Sequence, residues 1–199
     1  MDFELFEDIV EMDETYFLYS EKRKRNIQGR KPRLCGGNSK FRGISRDQVC
    51  VLVARDRQKR TFSKTIGKGR IITKSLDEAL GSKLSIQNVL CTDAWRVFMT
   101  YAKEKGIEHH RLKANGRERF KGIYYIQNVN SYHSRLKSWM KRFNSVATKY
   151  LDHYLSWFQF LDTIKHIKDN FTITKMFLDS CSFSVNTTYD KLKLLEFYE

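Results

Sequence analysis

The chain has 199 residues, of which 41% are hydrophobic, so a folded protein with a real core is expected and intrinsic disorder is excluded. The 37 Lys and Arg outnumber the 23 Asp and Glu, and the net charge of +14 favours a polyanionic partner. None of the four cysteines (Cys35, Cys50, Cys91, Cys181) forms a C-x-x-C pair, which excludes a zinc ribbon.

Residues 9–19 (I-V-E-M-D-E-T-Y-F-L-Y) read as a strand with a central acidic pair. A basic loop over 22–42 follows. It carries Lys22, Arg23, Lys24, Arg25, Arg30, Lys31, Arg33, Lys40 and Arg42 with no acidic residue, and Gly29, Pro32, Gly36 and Gly37 argue against a regular element. Residues 48–55 (Q-V-C-V-L-V-A-R) are apolar nearly throughout, as in a strand buried on both faces, and T-F-S-K-T-I is its hairpin partner. Ser75 to Leu84 reads as a short helix capped by Ser75, and residues 88–93 as a buried strand ending on Asp93. A helix over 95–105 stops at Gly106, and a short strand spans 107–112. Helices are expected over 130–143 and about 146–166, with another near 174–180. This order gives an α/β fold, a mixed sheet flanked by helices. One domain over 1–199 is expected, with its core at about 9–166 and a helical C-terminal tail over 167–199. No apolar run reaches the ~20 residues of a membrane helix and no signal peptide leads the chain, so a cytoplasmic location without a membrane partner is expected.

Three places carry candidate chemistry. Asp13 sits mid-strand, where a carboxylate is costly unless paired or metal-bound. Strand alternation puts Glu11, Asp13 and Thr15 on one side and Met12 and Glu14 on the other. Asp93 ends a buried strand just before a helix, which suits either a helix N-cap or a site at the sheet's carboxyl edge. On the 130–143 helix, Asn130, His133, Ser134, Lys137 and Lys141 share one arc, opposite Tyr132, Leu136, Trp139, Met140 and Phe143. That arc suits an ordinary solvated face as well as a third wall of a metal site. Strand carboxylates plus an oxygen ligand from a helix can hold Mg²⁺, and the basic tract suits sequence-blind contact with a DNA backbone.

The blocks V-E-M-D-E-T-Y-F, R-G-I-S-R-D-Q-V-C-V-L-V-A-R-D-R, V-L-C-T-D-A-W, N-V-N-S-Y-H-S-R-L-K-S-W-M and V-A-T-K-Y-L-D-H-Y-L-S-W-F together resemble ISXO-type insertion-sequence transposases over about residues 9–161. The resemblance implies a ribonuclease-H-like catalytic core of the DDE superfamily. Its first Asp corresponds to Asp13 and its second to Asp93. Its third ligand corresponds to Asn130, with His133 as a fallback, and its Lys to Lys137. It further implies two Mg²⁺ ions, with Mn²⁺ tolerated. The activity implied is cleavage of element ends followed by strand transfer into target DNA, by a homodimer or larger assembly. The DNA contacts would be Lys22, Arg23, Lys24, Arg25, Arg30, Lys31, Arg33, Lys40, Arg42 and Lys141. Relatives usually carry an N-terminal end-recognition region, whereas about ten residues precede the first motif strand here, so that region is expected to be absent. Two other readings fit the same blocks. One is a DNA-binding remnant without catalysis, and the other is a different ribonuclease-H-fold nuclease that hydrolyses without joining strands.

Overall fold

The computed structural model describes residues 5–27, 31, 39, 41–93, 95–112, 120–165, 167–182 and 188–196. Ile9–Leu18 (β1), Gln48–Asp56 (β2) and Thr61–Lys68 (β3) pair antiparallel, whereas Val89–Asp93 (β4) and Glu108–Leu112 (β5) continue the sheet in parallel from β1. The strand order is β3-β2-β1-β4-β5.

Helices cover both faces. Thr73–Leu80 (α1) and Arg96–Lys105 (α2) lie on one side, and Gln127–Lys141 (α3) and Leu151–Ile164 (α4) on the other. This explains the unbroken apolar run of β2. Cys50, Leu52 and Ala54 enter the core under α1 and α2, while Val49, Val51 and Val53 enter the core under α3 and α4. Cys50 and Cys91 are buried free thiols that pack as small hydrophobes. The mixed sheet with helices on both faces is the ribonuclease-H-like arrangement that the resemblance implied. Asn170–Ser182 (α5) and Tyr189–Leu194 (α6) follow and bury no residue. Among the described residues no helix is long and apolar enough to cross a membrane.

Most expected elements are present, with shifted ends. Gly106 closes α2 in the left-handed region, at φ 65°, as its sequence position suggested. Ser75 does not cap α1, which starts at Thr73 after Ile72. Asn130 is not a helix cap either, because α3 starts at Gln127 after Ile126. A short hairpin, Phe120–Lys121 (β6) with Tyr124–Tyr125 (β7), precedes α3, in a segment to which the sequence assigned no element.

A buried ion cluster joins the sheet to α3 and α4. Arg55 Nη1 donates to Asp162 Oδ2 at 2.7 Å and to Thr61 Oγ1 at 2.8 Å, and Arg135 Nη2 donates to Asp162 Oδ1 at 2.9 Å. The Arg55 and Asp162 side chains are only 5% and 4% exposed. At the far end of α3, Lys22 Nζ donates to the carbonyls of Phe143, Asn144 and Ser145 at 2.9, 3.1 and 2.8 Å. These carbonyls belong to the turn that follows the α3 C-cap, Arg142.

Candidate metal centre

Parallel pairing of β1 with β4 ends at Met12↔Thr92, so Asp13 and Asp93 are the next residues of two neighbouring strands. Each emerges at the carboxyl edge of the parallel part of the sheet, the usual place for sites in open α/β folds. Glu14 joins them. Carboxylate oxygens of Asp13, Glu14 and Asp93 all lie within 4.8 Å of one another, and all three residues are half-buried. Asp93 also accepts a hydrogen bond from the Trp95 backbone N–H at 2.9 Å. Asp93 is not the helix N-cap that T-D-A-W suggested, because α2 starts at Arg96 after Trp95 and has no side-chain cap; the carboxylate closes a turn instead.

Helix α3 closes the centre. His133 is buried, and its Nδ1 lies 3.6 Å from Asp13 Oδ2. Its Nε2 is buried without a hydrogen-bond partner. Of the two readings of this arc, an inner wall holds at His133. Asn130 and Lys137 are exposed, about one turn before and one turn after His133.

Like charges in a dry corner resist ionisation. Burial, followed by repulsion from Glu14 and Asp93, pushes Asp13 up to about 8, although the Glu14 backbone N–H and the Lys137 ammonium oppose this. Burial and Asp93 push Glu14 up to about 7. Burial and then Lys137 hold His133 down at about 4, so its imidazole is neutral at physiological pH. Three crowded carboxylates beside a neutral imidazole with an unpartnered nitrogen fit a divalent cation, whose charge would relieve the repulsion.

The titration has a stability consequence with a definite sign. The raised carboxyls of Asp13 and Glu14 stabilise the fold in acid, and that contribution is lost as pH rises through about 7 to 8. The depressed His133 acts oppositely, its contribution being lost as pH falls from 6.5 through about 4. Above pH 6.5 the His133 contribution fades and the two carboxyls outweigh it. In EDTA the melting temperature is therefore expected to fall from pH 6.5 to about 8, and Mg²⁺ or Mn²⁺ should remove that fall. Scanning fluorimetry across that range checks it. A flat profile in EDTA would contradict the crowded-carboxylate geometry.

Two acids at or beside the centre, Glu14 and Glu11, were not among the candidate site residues. Alternation separated Glu14 from Asp13, but both carboxylates reach the open end of the sheet beyond the last β1–β4 pair. The adjacent D-E pair in a basic chain was the available signal. Glu11 is fully buried and turned toward α3, where it accepts hydrogen bonds from the first turn of the helix.

The basic residues divide into two groups. Lys22 is held by the end of α3, and Lys24 pairs with Glu21 at 2.7 Å. Arg23, Arg25, Lys31, Arg42 and Lys141 are exposed. Arg30, Arg33 and Lys40 lie outside the described residues. Arg55 and Arg57 at the β2–β3 turn are turned inward onto Asp162 and Glu11, whereas Arg60 pairs with Glu7 at the surface.

A family model described as an ISXO2-like transposase domain matches residues 6–162. No curated protein matches the chain. The match spans all five strands of the main sheet, both flanking helix pairs and every residue of the acidic centre. The chain belongs to the family of ISXO2-like transposase domains, within the DDE superfamily.

Proposed function

We propose that this chain cleaves the ends of a mobile DNA element and joins the freed ends to target DNA, with Asp13, Asp93 and Asn130 as ligands of divalent metal and Lys137 as a phosphate contact. The observation that carries this reading is the convergence of Asp13, Glu14 and Asp93 at the carboxyl edge of the sheet, beside His133 of α3. Mg²⁺ suits the carboxylates best, two ions suit an in-line displacement, and Mn²⁺ is a fitting substitute. Bound there, such ions supply charge stabilisation to the attacking and leaving oxygens of a phosphodiester.

The chain's own groups do the rest. Asp13 and Asp93, once ionised, hold the centre from two adjacent strands, and Glu14 adds a third carboxylate. Asn130 offers a neutral amide oxygen from α3, which leaves one negative charge fewer than a carboxylate would and favours approach of a phosphate. His133, facing Asp13, is the alternative helix ligand. Lys137 holds a non-bridging phosphate oxygen as a point charge. Water then displaces the 3′ oxygen at the element boundary, and the freed 3′-hydroxyl displaces a 3′ oxygen of the target strand in turn. Neither step requires a covalent enzyme intermediate. Arg23, Arg25, Lys31, Arg42 and Lys141 offer exposed cations for the DNA backbone, and synapsis of two ends calls for a homodimer or larger assembly.

Incubation of a labelled element-end duplex with Mg²⁺ tests this. Wild type is expected to nick and then join, Asn130→Ala to lose about 100-fold or more in rate, and Asn130→Glu to keep part of it. Binding without nicking would favour a DNA-binding remnant, and nicking without joining a different nuclease. Equal rates for wild type and Asn130→Ala would remove Asn130 from the centre and turn attention to His133.

A further inference from the structure

We propose that Glu11 is a positioning residue for the metal centre: its carboxylate fixes the height of α3 against β1, so that the His133 side of the helix lies level with Asp13. This rests on the metal-centre reading above.

Helix α3 brings no cap of its own. Its N-cap is Ile126, which has no capping side chain, and its first turn contains no acid. Glu11 supplies the missing acceptors from another element. Its Oε2 accepts from the backbone N–H groups of Asn128 at 2.8 Å and Val129 at 3.0 Å, and its Oε1 accepts from Asn128 Nδ2 at 2.7 Å. The side chain is fully buried, at 0% exposure, so these bonds face no competition from water.

The spacing makes this cap a ruler. From Glu11 to Asp13 the strand advances two residues, ~6.6 Å. From Val129 to His133 the helix advances four residues, ~6 Å. Equal advances on adjacent elements mean that locking Val129 onto Glu11 brings His133 level with Asp13, in keeping with their 3.6 Å separation. Glu11 is itself held in place. Arg57 pairs with it, donates from Nη2 to the Ile123 carbonyl at 3.0 Å, and stacks 3.6 Å from the Tyr125 ring centroid. One carboxylate thus gathers β1, the β2–β3 turn, the β6–β7 hairpin and the start of α3.

A ruler and a mere ion pair respond differently to substitution. Glu11→Gln keeps the length and one oxygen for the two amides, and Asn128 can flip its amide to meet the new NH₂. Arg57 then retains its carbonyl and ring partners. Glu11→Asp keeps the charge but is one methylene short. We therefore expect Glu11→Asp to lose about 100-fold in cleavage rate with unchanged DNA affinity, because ångström misplacement of reacting groups has that effect. Glu11→Gln should stay within about tenfold of wild type. A role as counter-ion to Arg57 alone predicts the reverse order, and that result would overturn the proposal. A readout independent of metal and activity accompanies it. The His133 imidazole resonances should respond to Asp13→Asn in the wild-type and Glu11→Gln backgrounds but not in Glu11→Asp. An undiminished response in Glu11→Asp would also overturn the proposal. If wild type neither binds Mn²⁺ nor cleaves, the metal-centre reading fails, while the imidazole resonances still decide whether Glu11 sets the helix.

Discussion

Asp13→Asn is expected to reduce Mg²⁺-dependent end cleavage by at least ~10³-fold, about 4 kcal/mol of transition-state stabilisation, and yet to raise the melting temperature of the metal-free protein near pH 8. The two effects have one origin. Burial and the neighbouring carboxylates make the ionised Asp13 unfavourable without a cation, which is why its carboxyl is pushed up to about 8. An amide of the same shape removes the repulsion and the ligand together. Asp93→Asn should be equally inactive, and its Oδ1 can still accept the Trp95 N–H bond that shapes the turn. Single-turnover cleavage and thermal melts in EDTA on the same preparations decide the matter. An Asp13→Asn protein that melts lower than wild type at pH 8, or that cleaves at the wild-type rate, would refute this account of the centre.

The largest stability effect is expected far from that chemistry. Asp162→Ala should destabilise the fold by about 3–5 kcal/mol, because it leaves the Arg55 guanidinium buried without its counter-charge. Arg55 would retain the Thr61 hydroxyl at 2.8 Å, which cannot neutralise it. Arg135 is 36% exposed and can turn to water, so it should add little. The double variant Asp162→Leu with Arg55→Met should recover most of the loss, since a buried pair replaced by apolar side chains often leaves stability unchanged. Urea denaturation measures both. If Asp162→Ala costs less than about 1 kcal/mol, the cluster is better solvated than its 4–5% exposures indicate.

What the sequence made legible was what depends on neighbours in the chain. The two-sided burial of β2 followed from its apolar run, and the end of α2 from Gly106. The Trp139 side of α3 packs into the core as its periodicity required, with Tyr132, Leu136 and Met140 buried and Trp139 and Phe143 packed beside them. The sequence was silent where the partner is remote. Helix α3 begins three residues before its expected start because its cap, Glu11, sits on a strand more than a hundred residues away. The arc through His133 suited a wet face as well as a wall of the site, and only the approach of Asp13 makes that position an inner wall. Arg55 and Arg57 of the β2–β3 turn are met inside the fold by Asp162 and Glu11, acids far from them in the chain. Composition counts such charges but cannot tell which are already neutralised inside the fold. Within the centre, Asp13 and Asp93 were recognisable from the blocks around them, whereas Glu14 was hidden by the assumption that strand alternation governs a long side chain at an open edge.

The hold of Lys22 on the carbonyls at the end of α3 has a mechanical meaning when set beside the cap at the other end. Glu11 and Lys22 belong to one short stretch of chain, so β1 and the residues just after it grip α3 at both extremities. The helix is a beam clamped at two supports rather than a lever hinged at one.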